Sequence, residues 1–183
     1  GRKGFAQGGF LPNPEEPSFY WPQAQNQNGE FVNLRHLRGD HNPNVTSFTI
    51  DESIGWVTAA TPETGLLIGY IWPTFDYPWL DIWRNSVDGK PNARGLEFGT
   101  TGLHQPFPIL MEKGSIFGRK IFEYLDANES ITKRFAVFLL RIPKDFSGVA
   151  QLTVGEDQIH ITERAGGKNR EFNIPLNGLN LDL

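Results

Sequence analysis

The stretch GLEFGTTG, residues 95–102, holds a glutamate where strand alternation leaves it bare. Leu96 and Phe98 alternate like the inward face of a β-strand, so Glu97 shares the opposite face with Gly95 and Gly99. Glycine weakens a strand, so two of them around one carboxylate call for a reason, and room for a ligand near the backbone is one. A carboxylate that meets such a ligand can take up a proton as a general base. The plainer alternative, a solvent-facing strand residue beside a bulge or bend, stays open at this point.

A second carboxylate lies in PWLDIWR, residues 78–84. Here Trp79, Asp81 and Trp83 share one face, and Leu80, Ile82 and Arg84 share the other. Burying an aspartate between two indoles is costly without a partner, so this face reads as a polyol-binding surface. The apolar C–H faces of a sugar stack on aromatic rings, and its hydroxyls need fixed polar partners, which Asp76, Asp81, Arg84 and Asn85 supply. The competing reading of the aromatic run YIWPTFDYPWLDIW, residues 70–83, is a hydrophobic core.

Other chemistry-bearing residues are fewer. Arg94 lies three residues before Glu97, on the opposite face unless the strand is bulged, and His104 lies seven residues after it, beside Gln105. His36 and His41, with Asp40 in NLRHLRGDH, read as solvated loop residues, because no third ligand is spaced to complete a metal site. His160 alternates with Ile159 and Ile161 as an outer-face strand residue. No nucleophile elbow or phosphate loop is present, so neither a metal nor a cofactor is expected. The chain has no cysteine, which removes disulfides, thiolate metal sites and a cysteine nucleophile together. That fits a reducing compartment, and with no signal peptide in GRKGFAQGGF a cytoplasmic location is expected.

The elements that must position these groups are short strands. Twenty glycines and 13 prolines in 183 residues punctuate stretches rich in Val, Ile, Thr, Phe, Trp and Tyr. Strands are expected at 18–21, 30–35, 44–50, 55–60, 65–72, 78–84, 94–100, 120–126, 131–142, 149–154, 158–164 and 171–176, with turns such as TPETG and DGKPN between them. The pattern predicts an all-β antiparallel sandwich. Residues 1–17 read as an irregular lead-in and 18–183 as a single domain, while LMEKGSIFGRK reads as a loop or one helical turn. A net charge of −4 gives no basic footprint for nucleic acid, and no apolar run is long enough to span a membrane.

In several of these stretches, taken in order, the chain resembles the aldose 1-epimerase, or galactose mutarotase-like, family. ESIGWVTAATPETGLLIGYIW is similar to two consecutive family strands around their turn, and YPWLDIWRN to the Trp-rich strand that follows. ARGLEFGTTGLHQPFPI is similar to the segment carrying the family's catalytic glutamate, and FLLRIPKDFSGVAQLTV to its closing strands. The resemblance spans roughly residues 18 to 163 and looks like the second half of a family member. It implies a partial β-supersandwich and Glu97 as the base. The family's substrate-binding Arg and two His come mainly from the missing half, so the acid stays unassigned. A chain opening on Gly rather than Met is expected to be processed, tagged or cut from something longer.

What the resemblance implies is interconversion of sugar anomers. A base takes the C1 hydroxyl proton, an acid protonates the ring oxygen, and the ring opens and recloses from the other face. Glu97 is expected as base, with Asp81, Trp83, Arg94 and His104 lining a monosaccharide pocket and His104 as the nearest histidine for the acid role. Two rivals stand beside this: a carbohydrate-binding module without catalysis, and an accessory sandwich of a longer enzyme. Open sheet edges of a half sandwich also predict a homo-oligomer.

Overall fold

A computed structural model describes residues 2–7, 15–26, 29–37, 44–178 and 181. Asp40 and His41 lie outside the described residues. In chain order the elements are β1 (Lys3–Gln7), β2 (Ser18–Tyr20), β3 (Gln23–Gln25), β4 (Phe31–Asn33), β5 (Asn44–Thr49), β6 (Ile54–Thr61), β7 (Leu66–Pro73) and β8 (Trp79–Val87). They continue with β9 (Lys90–Gly99), α1 (Phe107–Lys113), β10 (Ser115–Ile116), β11 (Arg119–Lys120), β12 (Ala136–Arg141), β13 (Val149–Val154), β14 (Gln158–Glu163) and β15 (Glu171–Pro175). The paired strands run antiparallel, and the chain is all-β in class.

Where the sequence predicts one domain over 18–183, the chain divides into two compact units. One comprises Gly1–Ser53 and Thr74–Thr132, the other Ile54–Pro73 and Lys133–Leu183. Each unit draws on two separated segments, which local patterns cannot reveal. The second unit is a small sandwich. Its sheets β12-β7-β6 and β13-β14-β15 close on one core of Leu67, Ile71, Phe138, Leu152, Ile159 and Ile161. The β6–β7 hairpin turns at Gly65, whose φ of 72° suits glycine and whose N–H reaches Thr61 O at 3.0 Å.

Among the described residues, the first unit is built on a five-stranded sheet of order β2-β1-β5-β8-β9. Its two faces bury different material. On one face the register aligns Phe19, Gly4, Phe48, Leu80 and Phe98, with Ile82 and Leu96 one step along. On the other, Trp79 packs with Phe5, Leu103, Leu110, Ile116 and Ile121. The chain after β9 therefore folds back over the Trp79 end of that face.

Three local readings are corrected. The lead-in is not irregular throughout: β1 forms over Lys3–Gln7 and pairs with both β2 and β5, placing Phe5 in a core. LMEKGSIFGRK does contain one helical turn, residues 110–113, but as the end of a longer helix, and a hairpin follows it. Two prolines open α1, Gly114 ends it by donating to Leu110 O at 2.8 Å, and the β10–β11 hairpin follows. The hairpin turns through Phe117 (φ 50°) and Gly118 (φ 73°), both left-handed, as a two-residue turn of this hand requires. Finally, residues 121–126 and 131–135 have strand-like composition but no strand, because no neighbouring strand pairs with them.

Candidate functional site

The β8–β9 ladder sets Asp81 directly opposite Glu97, Trp83 opposite Gly95, and Trp79 opposite Gly99. On the far side of β8, β5 sets Ser47 opposite Asp81. The irregularity in the β8–β9 pairing falls at Asn85/Ser86, so alternation is unbroken from Arg94 to Gly99. One row across the sheet therefore reads Ser47, Asp81, Glu97. Asp81 is 3% exposed, Glu97 is exposed, and Trp83 is half-buried. The row is thus exposed at its β9 end, at Glu97.

The glycines around Glu97 turn out unequal. A Cβ at Gly95 would stand 2.6 Å from Glu97 Oε1 and 3.3 Å from Trp83 Cβ. The carboxylate itself folds back into the space that the sequence reading reserved for a ligand. A Cβ at Gly99 would meet only Thr101, at 3.5 Å and beyond, which is ordinary contact. Gly102 has a third role: a Cβ there would overlap the Trp79 indole.

His104 completes the group. Its Nε2 lies 3.6 Å from Asp81 Oδ2, with the His side chain 43% exposed and the Asp side chain 4%. Facing Asp81 raises the imidazole pKa; partial burial opposes this, and the charges of Asp81 and Glu97 add to it. Burial pushes the Asp81 carboxyl up, while His104 and Ser47 pull it back without cancelling the rise. Among the described residues Asp81 Oδ1 has no hydrogen-bond partner, the buried polar atom in the row whose capacity is unused. With Nε2 turned to the carboxylate, Nδ1 is the nitrogen directed away from it. Chemically, the row offers an open carboxylate beside an imidazole biased towards its charged form.

Two expected site residues are placed elsewhere in role. Arg94 is on the opposite face, across from Arg84, and donates to Leu34 O at 2.9 Å and Arg35 O at 3.3 Å. Burial, then the charge of Arg84, lowers its pKa. It ties the segment after β4 to the sheet and does not join Glu97. Trp79 shares the Asp81 face as alternation predicts, but it is fully buried, and its Nε1 donates to Lys120 O at 2.7 Å. That end of the face is core, and Trp83 is the half-buried indole beside Asp81 on it. Ser47, by contrast, escaped the sequence reading, because nothing in NVTSFTI shows that it faces a residue 34 positions later.

His36 is exposed on the loop after β4, and His160 Nδ1 lies 2.8 Å from Asn173 Oδ1 across β14–β15. Among the described residues, no group of three or more His, Asp or Glu is placed to hold a metal ion, and no helix is long and apolar enough to cross a membrane. Compared with models of known protein families, with curated proteins and with solved structures, the chain matches none of them.

Proposed function

We propose that the Glu97–Asp81–His104 group binds a free sugar and interconverts its anomers, in the manner of an aldose 1-epimerase. The observation that carries this reading is the cross-strand pairing of an open Glu97 with a buried Asp81 that faces His104. Glu97 takes the proton of the C1 hydroxyl, and His104, charged by its acidic neighbours, gives a proton to the ring oxygen. The C1–O5 bond breaks to leave the open-chain aldehyde. Rotation about C1–C2 and reclosure reverse both transfers, so nothing is consumed. Trp83 offers its indole to the apolar face of the ring.

Asp81 has a different task from Glu97. Buried beneath His104, it favours the charged form of the imidazole and fixes which nitrogen is turned outward. Raised in pKa, His104 holds its proton to higher pH than an unperturbed imidazole and can still release it to an oxygen whose basicity grows as the ring opens.

The test is a panel of single-anomer aldoses followed by polarimetry, with saturation-transfer NMR for binding. Faster exchange supports the proposal. Binding without exchange favours the rival reading, a carbohydrate-binding or accessory domain, and neither binding nor exchange ends both.

We also propose that the chain self-associates through an open sheet edge. β12 ends the β12-β7-β6 sheet, and its outward Val137 and Leu139 are 55% and 71% exposed. Light scattering is expected to give a mass above the 20.6 kDa of one chain, and a monomer contradicts it.

A further inference from the structure

We propose that Gly95 is a positioning residue for Glu97: the space left by its missing side chain is the seat of the carboxylate, and any larger residue there unseats it. This rests on the proposed function for its catalytic consequence, but its geometry stands alone.

Residues two apart on a strand point the same way with their Cβ atoms well separated, at about 3.3 Å of rise per residue. For Glu97 Oε1 to come within 2.6 Å of a Cβ position at residue 95, the side chain must lie back along its own strand. The Gly95 seat is walled by Trp83, whose Cβ is 3.3 Å from that same position. An outward rotamer would carry the carboxylate away from this position. Alanine at 95 would put carbon 2.6 Å from Oε1, too close for the two atoms to pack, and the flexible end of Glu97 is what yields. Gly99 provides the contrast: its Cβ position meets only the Thr101 backbone at 3.5 and 3.8 Å, so it holds no part of Glu97.

His104 reports the seat without any sugar. The acidic groups facing it are Asp81 and Glu97, and both raise its pKa. The experiment titrates the His104 imidazole by NMR in the full chain and in Gly95→Ala, Gly99→Ala, Glu97→Asp and Glu97→Gln, checking spectral dispersion in each. Gly95→Ala is expected to lower the midpoint towards that of Glu97→Gln, and Gly99→Ala to leave it at the wild-type value. Glu97→Asp, one methylene too short to reach the seat, is expected to lower it as well, and it decides the matter if Gly95→Ala does not fold. A Gly95→Ala midpoint equal to wild type, or a Glu97→Gln midpoint that does not fall, overturns the proposal.

Kinetics separate this from the functional reading. If the wild type exchanges anomers, Gly95→Ala is expected to lower kcat roughly ten- to a hundredfold with little change in KM, since a displaced group costs on that order. If the wild type exchanges none, the functional reading fails, while the titration still decides the role of Gly95.

Discussion

Asp81 and Glu97 are direct partners across β8 and β9, yet one is buried and the other exposed. Like charges placed opposite each other destabilise a sheet. Here the conflict is eased in two ways: burial raises the Asp81 pKa, and His104 stands 3.6 Å from its carboxylate. The two carboxylates are therefore not equivalent: one is buried against an imidazole and the other faces solvent.

Replacing Asp81 by Asn keeps the shape and removes the main cause of the raised His104 pKa. The His104 midpoint is expected to fall, which NMR titration reads directly. The alkaline limb of anomer exchange, which reports loss of the acid, is expected to move down with it. An unchanged midpoint would show that Asp81 does not govern the imidazole.

Protonation of this pair also shifts stability with pH. A histidine whose folded pKa is raised contributes stability fully present below its unfolded value, about 6.5, and lost as pH rises through the folded value. Asp81, also raised, acts in the same direction from its own unfolded value near 3.9. Urea midpoints of the wild type should exceed those of His104→Gln most below the unfolded value, and the gap should close as pH climbs through the folded one. A gap that widens with pH would reverse the sign and the account.

The two tryptophans of the Asp81 face should separate cleanly. Trp79→Ala removes a fully buried indole and its hydrogen bond to Lys120 O, and should cost about 3–5 kcal/mol in denaturant unfolding. Trp83→Ala, at a half-buried site, should cost much less stability and weaken sugar binding measured by NMR. Equal losses of stability would place Trp83 in the core too.

In the other unit, Glu163 is buried against its own backbone. Oε1 accepts from Ser147 N at 2.9 Å and Arg170 Nη1 at 3.2 Å, and Oε2 from the N–H groups of Lys168 and Arg170. Burial alone would push its pKa up; the Ser147, Arg170 and Lys168 N–H groups and the Arg170 charge outweigh it and hold it low. Its contribution is thus present above the unfolded value near 4.3 and lost as pH falls through the folded one. Glu163→Gln, which turns an N–H group towards N–H donors, should destabilise by roughly 1–3 kcal/mol at neutral pH and blunt acid sensitivity.

How much of this was legible beforehand follows from what strands encode. Alternation alone correctly put Asp81 with Trp83, put Glu97 with two glycines, and set Arg94 on the far face, because the side-chain period is two wherever a strand is unbulged. The burial of Trp79 was not legible. It depends on α1 and the β10–β11 hairpin returning over it, which is a long-range event. Equally, β1 was hidden in a glycine-rich stretch whose pairing partners lie at 18–20 and 45–48. The reason for Gly95 was visible as an oddity, but its occupant, the neighbouring carboxylate, needed side-chain coordinates.

The most direct measurement is anomer exchange by the full chain against Glu97→Gln, followed by polarimetry on a freshly dissolved pure anomer. Gln keeps the shape and removes the basicity. General base catalysis normally supplies about 10²–10⁴ in rate, so the substitution should lower exchange by at least about tenfold while saturation-transfer NMR still shows sugar binding. Exchange that persists at near the wild-type rate would contradict Glu97 as the base.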